Sequence, residues 1–177
     1  MFIYDKKLQY PVKIARPNPR LASLIISQYG GPDGELGASL RYLSQRYSMP
    51  FDELKGLLTD IGTEELGHLE MIGAIVHQLT RNMKDEQYQD PAFAPYFVDH
   101  TAGVYPTSAS GFPWSASSMQ VKGDPIADLA EDLGADATTL QSQLLKIPVN
   151  FNRNFLRFWI TTIDYNVINQ DINDLAS

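Results

Sequence analysis

No cysteine occurs among the 177 residues, which excludes a disulfide framework, a thiolate metal site and a thiol nucleophile. Basic residues are few and scattered. Lys and Arg number 14 against 21 Asp and Glu, for a formal charge of −7. With no Lys/Arg cluster, the chain is a poor candidate for binding nucleic acid or an anionic membrane. Long apolar runs are missing too. The densest early one, residues 21–26, is far too short to cross a bilayer. The opening MFIYDKKLQYPVKI is broken by Asp5, Lys6, Lys7 and Lys13, so no secretory signal is expected. What is present, 44% hydrophobic residues over this length, suits one soluble domain spanning 1–177 with a sizeable core.

Helical periodicity dominates the pattern. Asn18-Pro19 supplies a capping side chain before proline at the first helical position, and Leu21, Leu24, Ile25 and Ile26 follow. Gly30-Gly31-Pro32 interrupts. A second helix runs from about Pro32 through Glu35, Leu36, Leu40 and Leu43 toward Tyr47, and Ser48-Met49-Pro50 punctuates again. The longest helical stretch then carries Leu54, Leu57, Leu58, Ile61, Leu66, Leu69, Ile72, Ile75, Val76 and Leu79. Residues 85–124 hold four prolines and almost no period, which marks a functional loop or a crossover. No strand pattern competes. Asp124-Pro125 starts another helix with Ile126, Leu129, Leu133, Leu140 and Leu144 on one stripe, ended by Ile147-Pro148. A last helix is expected over residues 151–169, with Phe155, Phe158, Trp159, Thr162 and Ile163 inward. Two helices, a long crossover and two more helices predict an all-α, ferritin-like four-helix bundle.

Charges on the apolar stripes carry the chemical information. Leu58, Ile61, Glu65, His68, Ile72 and Ile75 form one inward row, so Glu65 and His68 lie three apart on one face. A carboxylate buried there is costly unless it is paired or bound to a cation. Such a pair can share a metal, the carboxylate bridging two ions while the imidazole binds one. A lone E-x-x-H is common by chance, so the context decides. Glu35 stands in the first turn of the preceding helix, one heptad before Tyr42, and Asp136 interrupts the stripe Leu129, Leu133, Leu140. Three helices thus turn a carboxylate toward one interior.

GGPDGELGASLRYLSQRY at 30–47 and LLTDIGTEELGHLEMIGAIV at 57–76 resemble the manganese catalases, and MFIYDKKLQYPVK resembles their spore-coat branch. GFPWSAS at 111–117 and KGDPIADLAEDLGA at 122–135 extend the resemblance to about residue 134. By that resemblance Glu35 is a terminal metal ligand, Glu65 the bridging carboxylate and His68 an imidazole ligand. Tyr42 matches a tyrosine beside the centre that hydrogen-bonds a ligand. The family also implies two manganese ions per chain, disproportionation of hydrogen peroxide to water and dioxygen, and a homo-oligomer, commonly a hexamer. Glu65 and Tyr42 would then be the catalytic residues. Spacing alone does not separate manganese from iron; the resemblance favours manganese. The expected location is the cytoplasm or the spore coat, with other spore-coat proteins as candidate partners.

Beyond residue 134 the pattern changes. Asp136 stands where the family has a glutamate ligand, and no histidine follows His100, so the family's second E-x-x-H is absent. The tail from Ala135 has six asparagines and no Glu, His or Gly. A divergent second half and an altered carboxy-terminal sequence both fit. The first leaves room for another class of function, a structural spore-coat protein with a degenerate metal centre. Glu64 reads as a surface residue, with proton handling beside the bridge as the alternative. His77 and His100 read as ordinary polar residues. Trp114 and Phe112 are expected to cover the bundle or a subunit contact, and Arg41 and Arg46 to form surface or intersubunit ion pairs.

Overall fold

The computed structural model describes residues 5, 7–8, 11–30, 34–88, 97–98, 103–104 and 115–144, with residues 135–144 described by backbone alone. Helix α1 (Pro19–Ile25) begins as its sequence dictates. Asn18 Oδ1 accepts the Leu21 N–H at 3.1 Å, and Pro19, which has no N–H to leave unsatisfied, stands at the first helical position. The expected single helix is divided by a turn at Ile26, and α2 (Ser27–Gly30) follows.

Helix α3 (Glu35–Gln45) closes in a 3₁₀ turn, Arg46–Ser48, and α4 (Asp52–Thr80) runs for 29 residues, about 43 Å. In the long connection lie α5 (Asp85–Tyr88), a 3₁₀ turn at Ala116–Ser118, and a short antiparallel ladder. There β1 (Phe97–Val98) pairs with β2 (Gly103–Val104), Phe97 opposite Val104. The ladder leaves the all-α reading in place; two-residue strands are too short to leave an alternating signature. Helix α6 (Pro125–Leu144) begins where Asp124-Pro125 indicated. Residues 151–169, the expected fourth helix, lie outside the described residues.

The entry to α6 shows why KGDPIAD has its composition. Gly123 has φ +77°, a left-handed conformation that suits glycine. Asp124 Oδ1 accepts the N–H groups of Ile126 and Ala127, both at 3.0 Å. Asp128 is fully buried, and its two oxygens accept the N–H groups of Lys122 at 2.7 Å and Gly123 at 3.1 Å.

Two apolar clusters sit at different heights along α4. Toward its start, Leu54 and Leu58 pack with Tyr42, Met49 and Leu129. Toward its end, Ile72, Ile75, Val76 and Leu79 pack with Leu21, Ala22, Ile25 and Ile26. The preceding segment is strapped to this second cluster. Gln78 accepts the Ile14 N–H at 2.8 Å and donates to Val12 O at 2.9 Å, while Arg81 donates to the carbonyls of Ile14 and Ala15, each at 2.9 Å.

Between the clusters α3 and α4 lie in close contact. The Ser39 hydroxyl donates to Gly62 O at 2.6 Å, and a Cβ on Gly62 would meet Leu43 Cγ at 2.8 Å and Ser39 O at 3.2 Å. Gly62→Val should therefore cost about 1–3 kcal/mol through overpacking. Gly56→Ala, at an open helical position, should instead gain about 0.5–1 kcal/mol. Urea denaturation of both variants checks the contrast, and an unchanged midpoint for Gly62→Val would contradict the tight crossing.

Candidate metal centre

The layer between the two apolar clusters is polar. Glu35 occupies the first turn of α3, and Glu65 and His68 stand one turn apart on α4, just past the Gly62 crossing. A ligand atom from each lies within 4.8 Å of the other two. His68 Nδ1 is 2.7 Å from Glu65 Oε2 and 3.8 Å from Glu35 Oε2. Glu35 is 5% exposed and His68 2%, and the Glu65 side chain is 14% exposed.

Burial decides the protonation of this group. It pushes the Glu35 carboxyl well above the ordinary carboxylate value; the nearby Glu65 charge adds to that, and the neighbouring His68 ring only partly opposes it. Burial also works against Glu65, but the hydrogen bond with His68 and the neighbouring Glu35 carboxyl outweigh it and hold Glu65 below its usual value. His68 loses some proton affinity through burial, yet the carboxyl groups of Glu35 and Glu65 beside it win, and it is pushed up to about 10. Without a cation, then, His68 keeps its proton through neutral pH, while Glu35 holds its own more tightly than an ordinary glutamate and Glu65 less tightly.

The donor set fits a metal. Two carboxylates and one imidazole are the ligand types that suit manganese or iron. Glu35 Oε1 is buried with no hydrogen-bond partner among the described residues, an arrangement a cation satisfies. Glu65 offers its carboxylate directly, and Glu35 and His68 serve as ligands once they give up any proton they hold.

A family profile described as manganese containing catalase matches residues 1–147. The chain belongs to the manganese catalase family. Bacillus subtilis protein CotJC is 53% identical over 136 residues, which cover 77% of this chain and 71% of that protein. A probable manganese catalase of Clostridium acetobutylicum is 36% identical over 140 residues, covering 77% of this chain and 61% of that one. A crystal structure of KatB, a manganese catalase from Anabaena, superposes with a TM-score of 0.82 at 28% identity. It covers 99% of this chain and 81% of KatB. The fold is accordingly that of the manganese catalases, the ferritin-like bundle the helix pattern predicts. The chain spans 53–61% of the length of the manganese catalases it matches in sequence.

Of the sequence-predicted site residues, the structure brings Glu35, Glu65 and His68 together. Asp136 lies in α6 one heptad after buried Leu129, inside the family match, and its side chain is outside those described. Tyr42 is 1% exposed and packed in the cluster with Met49, Leu54, Leu58 and Leu129. Glu64 stands beside His68, its side chain 41% exposed and its Oε1 3.9 Å from Nε2. His77 is exposed on the last turn of α4, while His100, Phe112 and Trp114 lie outside the described residues.

The expectation for Arg41 is corrected: it is 2% exposed, not a surface residue. Buried positions on α3 spread over roughly 200° of its circumference at 100° per residue, from Gly37 and Arg41 round to Ser39. Arg46 stacks over the Tyr47 ring at 5.1 Å, and neither arginine forms an ion pair among the described residues. Sequence reasoning missed Gln45 and Asp132. Both are fully buried, and Gln45 Nε2 donates to Asp132 Oδ1 at 3.1 Å and to Gln120 O at 3.0 Å, tying α3 to α6. The available signal was the row Asp128, Leu129, Asp132 on one face of α6.

A pH test follows from the proton held by His68. Manganese has to displace it, so its affinity should rise by roughly tenfold per pH unit for each proton released. Chelator competition between pH 6 and 8 measures this, and a flat profile would contradict it. The metal-free protein should behave oppositely. His68 has a raised folded value, so its contribution is full below about 6.5 and fades as pH rises toward about 10. Thermal melts of the metal-free chain should therefore fall across that window.

Proposed function

We propose that this chain uses a manganese pair to disproportionate hydrogen peroxide, and that residues 1–177 work as one domain of a homo-oligomer. The observation that carries the reading is the buried Glu35, Glu65 and His68 group within 4.8 Å, in a chain of the manganese catalase family. When bound, the metal pair supplies two-electron redox chemistry, converting two peroxide molecules to dioxygen and two waters.

The chain's own residues would contribute position and charge. Glu65 would bridge the two ions, Glu35 would be a terminal ligand, and His68 would bind through Nδ1, the nitrogen facing both carboxylates. The apolar clusters on either side would limit water at the site. Asp136 would supply the α6 carboxylate, and Tyr42 would hydrogen-bond a ligand from the α3 side. The oxygen-rich donor set also accepts iron; family membership favours manganese.

One sequence observation supports a second reading. Residues 101–177 contain no histidine, so this stretch supplies no imidazole to the other half of the centre. On that reading the chain is a structural component of the spore coat with a degenerate centre. Its 53% identity to CotJC, against 36% to the Clostridium enzyme, is compatible with this.

Metal content separates the two. Elemental mass spectrometry of the purified protein should find close to two manganese ions per chain, and one or none would support the structural reading. Glu65→Gln should abolish binding of the pair; an unchanged metal content would sink the assignment of Glu65.

A further inference from the structure

We propose that Glu64 is the positioning residue for His68, fixing which imidazole nitrogen meets the metal. The inference rests on the reading of His68 as a metal ligand. The segment TEELGH places two glutamates side by side, and both lie one helical turn before the histidine, at i−4 and i−3. Adjacent residues on a helix diverge by about 100°, so they reach opposite edges of the same ring. Nδ1 faces inward, to Glu65 Oε2 at 2.7 Å and Glu35 Oε2 at 3.8 Å. Nε2 faces Glu64 Oε1 at 3.9 Å.

Glu64 is absent from the group of clustered ligand atoms, and its side chain is 41% exposed where that of His68 is 3%. It therefore links a buried ring to the outside without competing for the metal. An imidazole that ligates through Nδ1 carries its proton on Nε2, and an anionic acceptor there holds the ring plane and strengthens the ligating nitrogen. At 3.9 Å the two groups are in charge contact. A shift of about 1 Å in the exposed Glu64 side chain would complete a direct hydrogen bond.

The test compares manganese(II) affinity of the full-length wild type, Glu64→Gln and Glu64→Ala, measured by chelator competition at fixed pH, together with melts of the metal-free proteins. Removing an outer carboxylate of this kind lowers metal affinity by roughly 10- to 100-fold, which is the loss expected for Glu64→Ala. Glu64→Gln should recover part of it, because the amide oxygen still accepts from Nε2–H. Melts should stay unchanged for both variants. Wild-type affinity in Glu64→Ala overturns the inference and leaves the metal centre standing. Losses of affinity matched by losses of melting temperature in both variants also overturn it, in favour of a structural role. A wild type that binds no manganese overturns the reading of the centre itself.

Discussion

Burial of the Glu35 carboxyl beside Glu65 and His68 is the constraint around which the described core is arranged. An acid 5% exposed is costly in the folded chain unless something offsets its desolvation. Its neighbours do so only in part, and this tension is what makes the site receptive to a cation. A metal resolves it directly, replacing protons with a charge that all three groups can face. Affinity and fold stability are thus two expressions of one buried polar layer.

That layer depends on apolar matter above and below it. The clusters around Leu58 and Ile75 set the rotation of α4, so that Glu65 and His68 face α3 rather than solvent. The Ser39 hydroxyl on the Gly62 carbonyl, with no Cβ between the helices, fixes their separation one turn before the ligands. Gln45 and Asp132 then secure α6 at the far end of α3. Precision at the centre therefore comes from rigid helices crossing closely, with no ligand in the triad supplied by a loop.

Much of this was legible in the residues because the governing signals were local. Asn18-Pro19 and Asp124-Pro125 announce helix starts through capping chemistry, and the α4 stripe displays Glu65 and His68 by interrupting a regular apolar row. Glu35 was legible through its register with Tyr42. Features that depend on distant partners were not. Gln45 and Asp132 are 87 positions apart, and nothing near Gln45 distinguishes a buried amide from a solvated one. Arg41 misled for the same reason: a guanidinium on α3 reads as surface until neighbouring elements enclose that side. The turn at Ile26 and the ladder at Phe97–Val98 leave no periodic trace because each is only a few residues long.

The strap between α4 and the segment before α1 has a consequence for variation. Gln78 and Arg81 grip Val12, Ile14 and Ala15 only through main-chain atoms, one N–H and three carbonyls. Such a grip is blind to side-chain identity. Ala15 contributes a carbonyl that every amino acid possesses, so the strap tolerates broad drift there. Position 14 must keep its amide hydrogen, which bars proline from the strap, while the Ile14 side chain separately packs on the second cluster. Evolution can thus rewrite much of this segment's outward face while the latch that anchors it stays closed.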